Sequence, residues 1–192
     1  MRNVVVTEFI TLDGVFEDPG GAEKTEHGGW SFKFWSEESG KFKYDELVAA
    51  DAMLLGRITY QGFAAAWPEM TDEAGFADRM NSLPKYVASR TLDKLEWQNS
   101  HLIEGDVVDA VSALKQQEGQ NILVGGSGQL ANVLLRADLV DELRFLVSPL
   151  VLGSGRRFFE DGSAPRTMEL VEAVSLDMGV LALTYRRQRG AG

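Results

Sequence analysis

The chain has 192 residues, no cysteine, two histidines and a formal net charge of −10. This length suits one domain spanning residues 1–192, with a core that needs no disulfide staples, and the lack of cysteine excludes thiolate metal ligands and a thiol nucleophile. The acidic balance excludes nucleic acid as a partner, because phosphate backbones are met by clustered Lys and Arg.

The N-terminus, MRNVVVTEF, turns polar too early for a signal peptide, and no apolar run reaches membrane-spanning length. The expectation is a cytoplasmic protein with no membrane partner. His27 and His101 have no acid or histidine at ligand spacing, so no metal site is expected.

The first expected strand covers residues 3–12. Its continuous run of Val4, Val5 and Val6 predicts burial on both faces, as in a central parallel strand. Residues 17–36 then read as one long irregular segment, rich in glycine and followed by Trp30, Phe32, Phe34 and Trp35. Such a segment in a compact domain marks a lid or binding loop.

Residues 37–50 read as a helix in which Glu37, Glu38, Asp45 and Glu46 form a solvated face. A short strand at 51–55, helices at 60–66 and 72–80, and strands at 85–88 and 101–103 follow, with Tyr60 and Trp67 as core residues. Asp106 reads as the N-cap of a further helix, and Ile122 to Leu135 as a strand, a glycine turn and a helix.

Beyond Asp138 the pattern alternates, with Leu143, Phe145 and Val147 on one side, which predicts antiparallel strands. The pair 168–176 and 180–187, joined by Asp177-Met178-Gly179, reads as a hairpin. Residues 186–192 read as a frayed basic end, too short to hold nucleic acid. The fold class is therefore α/β, a mostly parallel sheet with helices on both faces and an antiparallel C-terminal hairpin.

Three segments follow strands directly: Gly56-Arg57, Ser89-Arg90-Thr91 and Gly125-Gly126-Ser127-Gly128. In an open α/β sheet they share the carboxyl edge, where ligands bind. Glycines, arginines and hydroxyls at strand ends suit a nucleotide with several phosphates. Gly126-x-Gly128-x-x-Ala131 matches the Rossmann fingerprint only formally, since no acid stands at the next strand's end, around Leu146 to Ser148. Arginines at two of the edges and no ribose-binding acid favour a 2′-phosphate, hence NADP over NAD.

The segments FITLDGVFEDP, MLLGRITYQGF, YVASRTL, ILVGGSGQLANVLL and VSPLVLGSGRRFF, in this order and spacing, resemble the dihydrofolate reductase superfamily. Within it the chain is most similar to the reductase domain that forms the C-terminal half of the bacterial riboflavin deaminase/reductase. The resemblance implies a dihydrofolate reductase-like three-layer fold with an eight-stranded sheet, NADPH as hydride donor, and a homodimer.

By the same resemblance, Gly56, Arg57 and Thr59 face the cofactor phosphates and Ser89, Arg90 and Thr91 the adenosine 2′-phosphate. Gly125, Gly126, Ser127, Gly128, Gln129 and Leu130 lie against pyrophosphate and nicotinamide, and Thr11, Leu12 and Gly14 edge the nicotinamide ribose. The expected activity is reduction of a small planar heterocycle, pterin- or pyrimidine-like.

The zinc deaminase domain of such riboflavin-pathway proteins has no counterpart here, for want of cysteines. The position where folate reductases carry a substrate carboxylate falls on Gly40. The alternative is therefore a non-catalytic NADP(H)-binding protein with a degenerate site.

Asp13 is the acid nearest the implied nicotinamide and the candidate proton donor, although Asp-Gly is also a common turn pair. Trp30, Phe34 and Trp35 are candidates to cover a flat substrate, or to plug the core or a dimer contact.

Overall fold

The protein is described by a computed structural model over residues 1–162 and 164–188. In chain order the strands and α-helices are β1 (Val4–Thr11), α1 (Glu37–Val48), β2 (Ala50–Gly56), α2 (Arg57–Ala66), α3 (Phe76–Ser82), β3 (Lys85–Ala88), β4 (Ser100–Leu102), α4 (Val107–Gln116), β5 (Asn121–Gly125), α5 (Gly128–Arg136), β6 (Glu142–Ser148), β7 (Met168–Ser175) and β8 (Leu181–Arg187). Among the described residues the strands form one eight-stranded sheet in the order β4-β3-β2-β5-β1-β6-β8-β7. The first six positions run parallel. β8 is antiparallel to both β6 and β7.

The valine run sets the centre. β1 lies between β5 and β6, and Val4, Val5 and Val6 are all buried, because a central strand has its edges paired and its faces covered. Val4 and Val6 pack with Leu130, Ala131 and Leu134 of α5 and Val111 of α4 on one face of the sheet. Val5 packs with Leu47 of α1, Tyr60 of α2 and Met80 of α3 on the other.

β6 departs from the expected pattern. It is parallel to β1 on one edge and antiparallel to β8 on the other, and nearly all its residues are buried. Its alternation reflects two packed faces, with Phe145 toward α5 and Leu146 toward the cluster around Val180 and Ala182.

Several bounds move for local reasons. α2 begins at Arg57, three residues before the expected start. Asp72 stands outside α3, where its carboxylate accepts the N–H groups of Phe76 (2.9 Å) and Ala77 (2.6 Å). The chain end does not fray at Arg186 and Arg187; both belong to β8, and they pair with Glu142 and Asp138. Arg189 and the rest of the expected basic end lie outside the described residues.

The irregular segment 17–36 closes on Asp18. Its carboxylate accepts the N–H groups of Glu23 (2.9 Å) and Thr25 (3.0 Å), and its carbonyl those of Gly21 (3.1 Å) and Gly29 (2.9 Å). A short 3₁₀ helix, Trp30–Phe34, ends the segment. Arg156 clamps it from outside, 2.6 Å from both Glu17 and Glu23.

Candidate functional site

β2, β5 and β1 are neighbours, so the loops leaving them meet at the carboxyl edge of the sheet. The Ser127 hydroxyl holds two of these loops together. It accepts the backbone N–H of Gly56 at 2.8 Å and shares a hydrogen bond with the Thr59 hydroxyl at 2.7 Å. α2 starts at Arg57 and α5 at Gly128, and neither N-cap residue makes a side-chain capping bond. Two helix N-termini, one from each face of the sheet, therefore bring first-turn N–H groups and partial positive charge to one place.

The glycines serve this junction differently from the sequence expectation. At Gly56 a Cβ would lie 2.6 Å from Ser127 Oγ, and at Gly126, whose φ is +64°, it would lie 2.8 Å from Thr59 Oγ1. Gly128 abuts the ring of Phe16. At these positions the close approach is to the protein's own side chains. Of the four, Gly125 alone would take a Cβ without a clash, in ordinary contact with Phe63 at 3.9 Å.

Ser127 itself carries φ +64°, a left-handed conformation uncommon for serine. That geometry turns its hydroxyl toward Gly56 and Thr59. Gln129 is exposed at the first turn of α5, whereas Leu130 is buried in the core.

The third edge lies next to β2. β3 ends at Ala88, and the Ser89 hydroxyl accepts the N–H groups of Thr91 (3.2 Å) and Leu92 (3.0 Å), a local turn that leaves Arg90 and Thr91 exposed. Arg57 is also exposed and donates to Gln61 at 3.0 Å. These cations stand on the same sheet edge as the Ser127 junction.

At the end of β1, Thr11 is buried, Gly14 has φ +79°, and Leu12 is 62% exposed. Asp13 is held by a local network here. Its carboxylate accepts the Thr11 hydroxyl at 2.6 Å and the N–H groups of Gly153 (2.9 Å) and Leu152 (3.2 Å). The Thr11 hydroxyl first, then the backbone donors, hold its pKa below the ordinary carboxylate value. A carboxylate kept ionised has no proton to give, so Asp13 ties the end of β1 to residues 152–153.

The aromatic candidates separate. Trp30 is 1% exposed, with its indole N–H donated to the Glu17 carbonyl at 2.9 Å, so it plugs the loop from beneath. Phe34 packs against the cluster of Leu146, Val180 and Ala182. Trp35 is 46% exposed, and its ring lies 6.2 Å from that of Phe9.

A further polar group was hidden in the sequence. Glu46, expected in solvent, is 2% exposed. It accepts the Thr7 hydroxyl at 2.8 Å and pairs with Lys43 at 2.7 Å, while Arg144 stands 4.0 Å away. The weak amphipathicity of α1 concealed which side faces the sheet, and only the Lys43-to-Glu46 spacing of one helical turn hinted at a pair.

Glu8 was also missed, although a lone acid in a strand expected to be buried on both faces was a signal. It is 3% exposed, its Oε1 has no hydrogen-bond partner, and burial pushes its pKa up to about 8 despite the opposing charge of Lys43.

Residues 2–182 match the model of the RibD C-terminal domain family. The chain is 26% identical over 188 residues to the uncharacterized protein YyaP of Bacillus subtilis (strain 168), covering 96% of this chain and 94% of that one. Among solved structures, a protein of Shewanella sp. PV-4 provisionally assigned to riboflavin biosynthesis superposes with a TM-score of 0.75 at 22% identity, over 97% of this chain and 99% of that one. RibD of Acinetobacter baumannii gives 0.70 at 14% identity, over 98% of this chain and 58% of that one. Dihydrofolate reductase of Enterococcus faecalis, solved with NADP(H), gives 0.63 at 17% identity, over 97% and 96%. These likenesses support a reductase-type, dihydrofolate reductase-like fold. Among the described residues, no helix is long and apolar enough to cross a membrane, and no group of three or more His, Asp or Glu could hold a metal ion.

Proposed function

Since the chain belongs to the RibD C-terminal domain family, we propose that it is an NADPH-dependent reductase of a small planar heterocycle, pterin- or pyrimidine-like. The observation that carries this reading is the Ser127 junction, which joins two uncapped helix N-termini at one point of the sheet edge. That arrangement suits a pyrophosphate, and Arg57 and Arg90 nearby suit the additional phosphate that distinguishes NADPH from NADH.

When bound, NADPH supplies a hydride. The chain's own part is to orient the dinucleotide across the ends of β3, β2, β5 and β1. Gly125, in register with Thr7, ends β5 at this edge. With Asp13 held ionised, the proton that accompanies the hydride comes from water. A homodimer and a cytoplasmic setting belong to the same reading, and sedimentation of the purified chain tests the first.

Titrating the fluorescence of Trp30, Trp35, Trp67 and Trp97 with NADPH and then with NADH tests the proposal. Quenching by NADPH with weaker binding of NADH supports it; no response to NADPH, or tighter NADH binding, overturns it. One observation favours the non-catalytic alternative: Gly40 supplies no carboxylate, and the Trp35 ring stands 3.4 Å from where its Cβ would be. Oxidation of bound NADPH by any pterin or pyrimidine acceptor discards that alternative.

A further inference from the structure

The two edges of the sheet are built differently. β4 has three residues and offers little to another strand, whereas β7 runs for eight and is paired on one side only. An antiparallel strand commonly keeps one face on the core. β7 does not: Leu170, Val171 and Val174 are 52%, 46% and 39% exposed, and Ala173 is exposed as well.

β8 fixes which way the β7 side chains point. Met168, Leu170, Ala173 and Ser175 stand opposite Arg187, Tyr185, Leu183 and Leu181, which are alternate residues of one strand, so these four share a face. That face of β7 holds no acid, in a chain with 29 of them. Glu169, Glu172 and Val174 share the other face, and Val171 is the extra residue of a bulge.

The bulge makes β7 complementary to itself. Laid antiparallel against a copy about a two-fold axis between Val171 and Glu172, the strand brings Leu170 opposite the partner's Ala173 and Met168 opposite the partner's Ser175. Glu169 then meets the partner's Val174. Each pair lies on one face, as cross-strand neighbours must. Without the bulge, an axis between two residues would set opposite faces against each other.

The same axis matches charge. Arg166 and Asp177 lie equally far from it along the chain, before and after β7, so each comes opposite the other in the partner. Both are exposed, and among the described residues neither has an ion-pair partner. Arg166 donates to the Arg136 carbonyl at 3.4 Å, and the Asp177 backbone N–H goes to Glu38 at 2.7 Å. A cation at one end of a strand and an anion at the other are closed by a second copy of that strand.

We infer that β7 is the contact surface of a homodimer, in which two copies join their sheets edge to edge about this axis and Arg166 of each protomer faces the partner's Asp177. This rests on the homodimer of the reading above and adds its surface.

Sedimentation equilibrium of the full chain over about 1 to 100 μM tests the inference. The wild-type chain is expected to dimerise. Val171→Glu sets a carboxylate against the partner's Glu172 and should weaken the dimer about tenfold or more. Leu102→Glu, on the far edge β4, should leave it unchanged, and circular dichroism checks that both variants fold. Arg166→Asp and Asp177→Arg each put like charges at both ends of the contact and should weaken it several-fold. The double variant restores opposite signs and should return to within about twofold of wild type.

A wild type that stays monomeric throughout, a folded Val171→Glu dimer as tight as wild type, or a double variant no tighter than the single ones overturns the inference. In the second case the homodimer stands with its contact elsewhere. A dimer that follows the expected pattern in a chain that binds no NADPH keeps the contact and removes the reductase.

Discussion

The hydroxyl of Ser127 lies 2.8 Å from the backbone nitrogen of Gly56, a bond across 71 positions of sequence that joins the starts of α5 and α2. Ser127→Ala removes this bond and the one to Thr59. The partly buried Gly56 N–H is then left without its acceptor, at a cost of about 1–3 kcal/mol. Thermal denaturation is expected to show that loss, and NADPH titration of the same variant a weakening of about tenfold, the equivalent of about 1.4 kcal/mol. An unaltered NADPH affinity separates the junction from the cofactor site.

Gly125 and Gly126 are adjacent but face different constraints. Gly126→Ala puts a side chain at φ +64° and 2.8 Å from Thr59 Oγ1, and should destabilise the chain by about 1–3 kcal/mol. Gly125→Ala meets nothing nearer than 3.9 Å and should leave the melting temperature nearly unchanged. Its added methyl stands against Phe63 at the end of β5, and reduced NADPH binding in a stably folded protein is the expected outcome. Parallel melting curves and titrations of the two variants check the contrast.

Arg90 is exposed just past β3, two strands from β5. Arg90→Ala should weaken NADPH by about ten- to a hundredfold, the loss of a charge-assisted hydrogen bond of about 1.5–3 kcal/mol. NADH, lacking the additional phosphate, should bind as before. Equal weakening of both dinucleotides places Arg90 elsewhere.

Glu8 gives the chain a specific pH response. Its pKa rises from 4.5 to about 8 on folding, so the folded state holds a proton that the unfolded state gives up. The stability tied to that proton is complete below pH 4.5 and is lost as the pH climbs to about 8. The whole change is on the order of 5 kcal/mol at most. Glu8→Gln, which cannot ionise, should flatten this decline. Urea denaturation of both proteins at pH 5, 6.5 and 8 measures it, and parallel declines in wild type and variant refute the assignment.

Much of the fold was legible. The valine run of β1 signalled a strand covered on both faces, and glycines after apolar runs marked where β2 and β5 end. The Ser127 junction was not legible, because it depends on β2 lying beside β5, a pairing that no local pattern encodes. β6 misled for a related reason: its alternation is that of a strand with different partners on its two edges and packing on both faces. Asp13 was ambiguous in sequence, because its hydrogen bonds from Leu152 and Gly153 come from a loop far along the chain. Glu46 was misread because two of its three partners, Thr7 of β1 and Arg144 of β6, come to it by tertiary contact, and only Lys43 is local.

The central place of β1 also governs how the chain emerges from a ribosome. Val4–Thr11 is synthesised well before its partners β5 and β6, which span Asn121–Gly125 and Glu142–Ser148. At about 5–20 residues per second, VVVTEFIT waits several seconds with its edges unpaired. Nascent chains halted before residue 142 will therefore carry an unpaired, strand-prone apolar segment. Only after β6 emerges can the middle of the sheet close, which sets a late and abrupt onset of protease resistance during translation.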